Sequence, residues 1–167
     1  MASQWYSLVS QKLHLAKVLL AQLGQAEDTA MANAQPPAMA RQALTQATAE
    51  MLIRAQKALL VMLAHCHQHK NEKPHTLAEL KALFSYEAAD ITNLEQLAAD
   101  SRSWWAHLEQ LNQELDEPVA PRKAVATENV IAVAASEAAD FSPQALERTR
   151  SAMAIFAAEL EERHSEW

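Results

Sequence analysis

Apolar residues recur every three or four positions from Ser3 to about Leu23. Trp5, Leu8, Lys12, Leu15 and Leu19 form one stripe, and Leu13, Ala16, Leu20 and Leu23 widen it. That period is the signature of an amphipathic helix with one face turned to a core. Gly24 follows directly and is the expected stop. Residues 25 to 37 read as a connection ending in Pro36-Pro37, a pair that interrupts any helix passing through it.

A long helix is predicted from about Ala38 to Lys70. Its stripe runs Ala40, Ala43 or Leu44, Ala47, Met51, Ala55, Ala58, Met62 and Cys66, and Leu52, Leu59, Leu60, Val61 and Leu63 broaden the second half. A helix apolar on several sides belongs in the middle of a bundle. Thr76-Leu-Ala-Glu79 has capping-box spacing, with the threonine oxygen accepting from the Glu79 N–H and the glutamate returning to the threonine N–H. Thr92-Asn-Leu-Glu95 repeats that spacing before Leu97. Asp100 or Ser101 is the expected cap of the next helix, which carries Trp104, Leu108, Leu111 and Leu115 up to Pro118. Residues 118 to 129 read as a flexible segment, and Val130 to Ala135 is a short apolar stretch of either helical or extended form. Ser142-Pro143 is a helix start, with serine as cap and proline in the first turn. Leu146, Thr149, Met153, Phe156 and Leu160 then mark one face of a last helix.

Composition sharpens this picture to a fold class. The chain of 167 residues is alanine-rich and 50% hydrophobic, with 5% aromatic residues and one glycine. Alanine is the strongest helix former, and the β-branched residues that long strands favour are scarce. The expectation is one all-α domain over residues 1–167: an irregular helical bundle of three long helices plus short ones. A formal charge of -7, from 21 acidic and 14 basic residues, repels a phosphate backbone, so nucleic acid is a poor partner. No apolar run approaches the ~18–20 residues that span a bilayer. The amino terminus lacks the pattern of a signal peptide. Cys66 is the single cysteine, so the chain has no internal disulfide, and a cytoplasmic location is expected. With one glycine there is no phosphate-cradling loop, and no cofactor is expected.

The candidate chemistry falls in two places. His65, Cys66, His67 and His69 cluster at the end of the second helix, with His75 close behind. His65 and His69 stand at i,i+4, a spacing that can hold a metal ion, whereas His67 projects elsewhere. The competing expectation is a polar helix end, where histidine and lysine meet exposed carbonyls. The second place is Arg102-Ser-Trp-Trp-Ala-His107. Trp104 and Trp105 point in different directions, so one is expected to anchor packing near Leu108. The other is free for a helix crossing or a partner contact. Trp5 is expected to pack beside the same region. Trp104, Trp105, Leu108 and Trp5 are thus the candidate interaction residues. The terminal charges, Glu159, Glu161, Glu162 and Glu166 with Arg163, read as a solvated face.

Arg102 and His107, separated by four residues, resemble the arginine-x(4–6)-histidine motif of the higher-eukaryote-and-prokaryote nucleotide-binding (HEPN) helical ribonucleases. That resemblance implies a composite site across a dimer, with Arg102 steering the scissile phosphate and His107 serving as acid–base. Ser103 stands where the motif commonly has a polar residue such as asparagine. A second resemblance covers more of the chain. Ser3 to Leu23 with Gln11-Lys12-Leu13, and Leu94-Glu-Gln-Leu97 through Ser103-Trp104-Trp105-Ala-His-Leu108, resemble an uncharacterised family of small helical proteins from gammaproteobacteria. It implies a compact cytoplasmic helical protein and assigns no site residues. The leading expectation is a non-enzymatic interaction or structural protein with a protein partner or a second copy of itself. The ribonuclease and the His65–His69 metal protein are the alternatives.

Overall fold

A computed structural model describes residues 4–31, 38–118 and 138–165. These residues form six helices and no strand, so the all-α expectation holds. The helices are α1 (Gln4–Met31), α2 (Ala38–Cys66), α3 (Leu77–Ala82), α4 (Ala89–Ala99), α5 (Trp104–Asp116) and α6 (Pro143–Ser165). The segment expected to be flexible, apart from Pro118, and the apolar stretch Val130 to Ala135 lie outside the described residues.

The second half of α2 organises the rest. Every residue from Ala58 to Ala64 is buried, as are Leu52, Ile53 and Ala55. A helix buried on all sides has to be surrounded, and α1, α5 and α6 all pack against it. The Trp5 indole N–H donates to His65 Nε2 at 3.0 Å, so the start of α1 lies beside the end of α2 and the two form an antiparallel hairpin. The α6 start (Pro143, Gln144, Glu147) lies beside Lys17, Leu20 and Ala21, which makes α6 antiparallel to α1. Contacts of Trp104 with Phe156 and of His107 with Thr149 show that α5 runs antiparallel to α6. Glu114 of α5 also accepts from the Ala139 N–H and holds the approach to α6.

Several element ends differ from expectation, each for a local reason. Gly24 does not stop α1, which continues to Met31; no glycine here takes the positive φ of a helix-ending turn. The helix α2 ends at Cys66 rather than Lys70. Gln68 is left-handed at φ 69°, the His69 N–H returns to the Ala64 carbonyl and the Gln68 N–H to that of His65. That is a Schellman turn built without glycine. Thr76 caps α3 as expected, accepting from the Glu79 N–H at 3.1 Å, but Glu79 returns to the His75 N–H one residue earlier. Thr92 is inside α4 and not its cap; its hydroxyl donates to the Ala88 carbonyl. α5 is capped by Ser103, not by Asp100 or Ser101, its Oγ accepting from the Ala106 N–H at 3.0 Å. Ser142 and Pro143 start α6 as expected, Ser142 Oγ accepting from the Ala145 N–H.

The buried stripe of α1 is also rotated. Val9, Leu13, Ala16 and Leu23 are in the core, whereas Leu15 of the expected stripe is 41% exposed and Val18 42%. Leu13→Ala should therefore lower the unfolding free energy by about 2–5 kcal/mol, and Leu15→Ala by no more than about 0.5 kcal/mol. Urea denaturation of both variants checks this register. A Cβ added at Gly24 meets nothing within 4 Å. Gly24→Ala should accordingly stabilise the helix by about 0.5–1 kcal/mol, read in the same titration.

Candidate functional site

The ends of three elements meet at one polar cluster. His67, still in helical register through its N–H bond to the Leu63 carbonyl just before the Schellman turn, meets the first turn of α4, where Asp90 is buried with 7% of its side chain exposed. α4 has no side-chain cap at Ala88, and an acidic residue in its first turn complements the helix dipole. The far end of α6 supplies Arg163 and His164. Asp90 Oδ2 lies 3.2 Å from His67 Nε2 and 2.8 Å from His164 Nε2, while Oδ1 lies 2.9 Å from Arg163 Nη1. Aromatic edges fix the rings. His67 stands edge-on to Phe84 at 5.0 Å between centroids and to His164 at 5.2 Å. Tyr86 Oη lies 3.5 Å from His67 Nδ1.

Burial of Asp90 works against its charge. The His164 hydrogen bond, the Arg163 charge and the His67 hydrogen bond outweigh that penalty and hold its carboxyl below the ordinary value. Neighbouring Cys66 is pushed the other way. Desolvation, reinforced by the negative charges of Glu161 and Asp90, raises its thiol to about 11. A thiol so far from ionisation is a poor nucleophile.

His67, Asp90 and His164 each offer one donor atom, and the three atoms lie within 4.8 Å of one another. The sequence-predicted pair is not part of this group. Trp N–H is donor-only, so His65 Nε2 is the acceptor in the Trp5 contact and its lone pair is already used. His69 packs against Phe84 at 5.1 Å. His67, which the helical wheel sets apart from its neighbours, is the one that reaches a site. Asp90 and His164 carried no sequence signal: one lies in an alanine-rich helix start, the other at the end of a charge run. Nor is that run wholly a solvated face, because Arg163 reaches back to Asp90.

The second candidate region turns inward. Trp105 and Leu108 are buried, and Trp104 is half-buried against Trp105 and Phe156, each at 5.6 Å between centroids. Trp5 is half-buried on the His65 ring. The tryptophan pair thus anchors α5 to α6 and the core rather than offering an open surface. Arg102 is exposed in the turn before α5, its backbone N–H held by Asp100. His107 uses both ring nitrogens, Nε2 lying 2.9 Å from the Asp140 carbonyl and Nδ1 2.7 Å from Thr149 Oγ1. A carbonyl only accepts, so Nε2 donates; in the neutral ring Nδ1 then accepts from the threonine hydroxyl. The imidazole is a staple that ties α5 to α6 and to the segment before it.

Comparison with protein-family models, curated proteins and solved structures finds no match for this chain. Among the described residues no helix is long and apolar enough to cross a membrane.

The lowered carboxyl of Asp90 has a signed consequence. Its folded value lies below the unfolded one, about 3.9. The stability it contributes is therefore complete above that unfolded value and is lost as pH falls through the folded one. In chelator-containing buffer the wild-type protein should lose stability faster than Asp90→Asn between about pH 5 and pH 2. Parallel acid limbs in urea titrations of the two proteins would remove this role for the carboxylate.

Proposed function

We propose that this is a non-enzymatic helical interaction protein that docks an apolar helix, in the first instance from a second copy of itself, on the outer face of α1. The observation that carries the reading is a second apolar stripe on that helix. Leu15, Val18 and Leu19 follow one another at i, i+3 and i+4, and none of them belongs to the core formed by Val9, Leu13 and Ala16. At about 100° per residue, Leu15 and Leu19 lie on the opposite side of the core stripe from Lys17 and Ala21, which face the start of α6. The outer stripe is thus the flank of α1 that α6 does not cover.

Other exposed large apolar residues, Met39, Tyr86 and Ile155, lie on separate elements or loops and are ordinary surface. Exposed apolar side chains at helical spacing are what a partner helix buries, each side chain contributing about 1.5–3 kcal/mol if removed fully from water. Lys12, beside Leu19 on the helical wheel, supplies a polar rim to the stripe on a chain of net charge -7. A cytoplasmic setting agrees with the unpaired, protonated thiol of Cys66.

The double substitution Leu15→Glu with Val18→Glu tests the reading. The melting temperature should stay near that of the wild type, because neither side chain supports the core. Self-association measured by sedimentation equilibrium should weaken by at least about tenfold, equivalent to about 1.4 kcal/mol. A wild-type protein that is monomeric throughout, or a variant that associates equally well, overturns the proposal.

A further inference from the structure

We propose that His67, Asp90 and His164 form a binding site for one divalent transition-metal ion, with zinc the ion of reference. The donors are two imidazole nitrogens and one carboxylate oxygen, the set that suits zinc and its neighbours rather than calcium or magnesium. They come from three separate elements, so the fold brings them together; sequence proximity does not. Donors around a tetrahedral zinc at about 2.0–2.1 Å stand about 3.3 Å apart. The 3.2 Å and 2.8 Å separations from Asp90 Oδ2 to the two Nε2 atoms are close to that spacing. Small outward shifts of the side chains admit the ion.

The surroundings orient the donors. Arg163 holds Oδ1 of Asp90 and leaves Oδ2, the oxygen both histidines already face. When each Nε2 gives its lone pair to the metal, the ring proton sits on Nδ1. For His67 that nitrogen faces Tyr86 Oη, 3.5 Å away, the kind of outer partner that fixes a ligating ring. The edge of Phe84 limits rotation of the same ring. Three protein ligands leave a fourth position for water. The site fastens the end of α2, the start of α4 and the end of α6, and the ion replaces two hydrogen bonds with three coordinate bonds. It is independent of the outer α1 stripe.

The test is titration of the full chain, freed of metal by chelator, with Zn2+ against a competing chromophoric chelator, and with Co2+ followed by its visible spectrum. One equivalent should bind, raise the melting temperature and give a cobalt spectrum of nitrogen and oxygen donors. His164→Gln keeps a side-chain N–H for Asp90, so it preserves the fold, and it should abolish both the zinc binding and the melting shift. Tyr86→Phe should weaken affinity by about tenfold. His65→Ala and His69→Ala should bind as the wild type does. Absence of zinc binding by the folded wild type overturns the site. Binding that survives in His164→Gln but is lost in His65→Ala or His69→Ala overturns it as well and assigns the ion to the helix-end histidines.

Discussion

The constraint on which this fold depends is the apolar circumference of α2 between Ala58 and Ala64. A surface helix needs only one stripe covered, but these two turns, past the exposed Arg54 and Lys57, are buried on every side. Leu59, Leu60, Met62 and Leu63 are all at or below 2% exposure. Three neighbours, α1, α5 and α6, are required to enclose it, and their order in the chain follows from how each reaches it. α1 does so as a hairpin arm, α6 as a long return, and α5 as a shorter brace stapled to α6 through His107 and Thr149. The tryptophan pair belongs to this enclosure. Trp105 fills the space beside α2, and Trp104 closes the seam to Phe156.

Enclosing an apolar helix moves the difficulty to its end. The last carbonyls of α2 point at the place where α1 starts and α6 finishes, and polar groups gathered there have to be satisfied mutually. The chain meets this with a left-handed residue that is not glycine. Gln68 at positive φ closes the carbonyls of Ala64 and His65, directly after His67, whose N–H still bonds the Leu63 carbonyl in helical register. The same turn separates His65, which serves Trp5, from His69, which serves Phe84. Helical azimuth therefore sends His65 to Trp5 and His67 to Asp90, and the turn after His67 determines only where His69 lies.

Much of the architecture was legible in sequence, because period and capping are local. The spacing of Leu146, Thr149, Met153, Phe156 and Leu160 predicts the buried face of α6, all five being buried, and Ser142-Pro143 marks its start. The Thr76 cap was readable for the same reason. Errors arose where two local signals compete. Leu15 and Leu13 belong to overlapping stripes of α1, and periodicity does not say which is covered; only the positions of α2 and α6 do. Gly24 is a helix stop only if the chain needs to turn there. Thr92 has a capping sequence, but Ile91 and Leu94 have to reach the core and pull the start of α4 four residues earlier, with Ala88 at the cap position. The site itself was hardly legible. His67 was visible as a residue, but Asp90 and His164 are 74 positions apart, and nothing in either neighbourhood distinguishes them from surface charge.

The polar cluster and the outer stripe of α1 differ in what the folded monomer leaves unfinished. At Asp90 both carboxylate oxygens are already engaged, one by a cation and the other by two imidazoles, so the cluster holds as a staple without an ion. What an ion changes there is the strength of a junction that already exists. On α1 the opposite holds: Leu15, Val18 and Leu19 have the spacing of a buried face, yet Leu15 and Val18 are exposed, Leu19 is half-buried, and none of the three belongs to the core. A side chain that merely decorates a surface needs no register, whereas three apolar residues within one turn present a strip that a second helix can cover. Since Trp5 at the start of α1 contacts His65, and Leu15, Val18 and Leu19 lie further along that helix, association on its outer flank and reinforcement of the α2, α4 and α6 ends would act at separate places. The enclosure of α2 requires neither of them, so both are additions to a bundle already closed around its central helix.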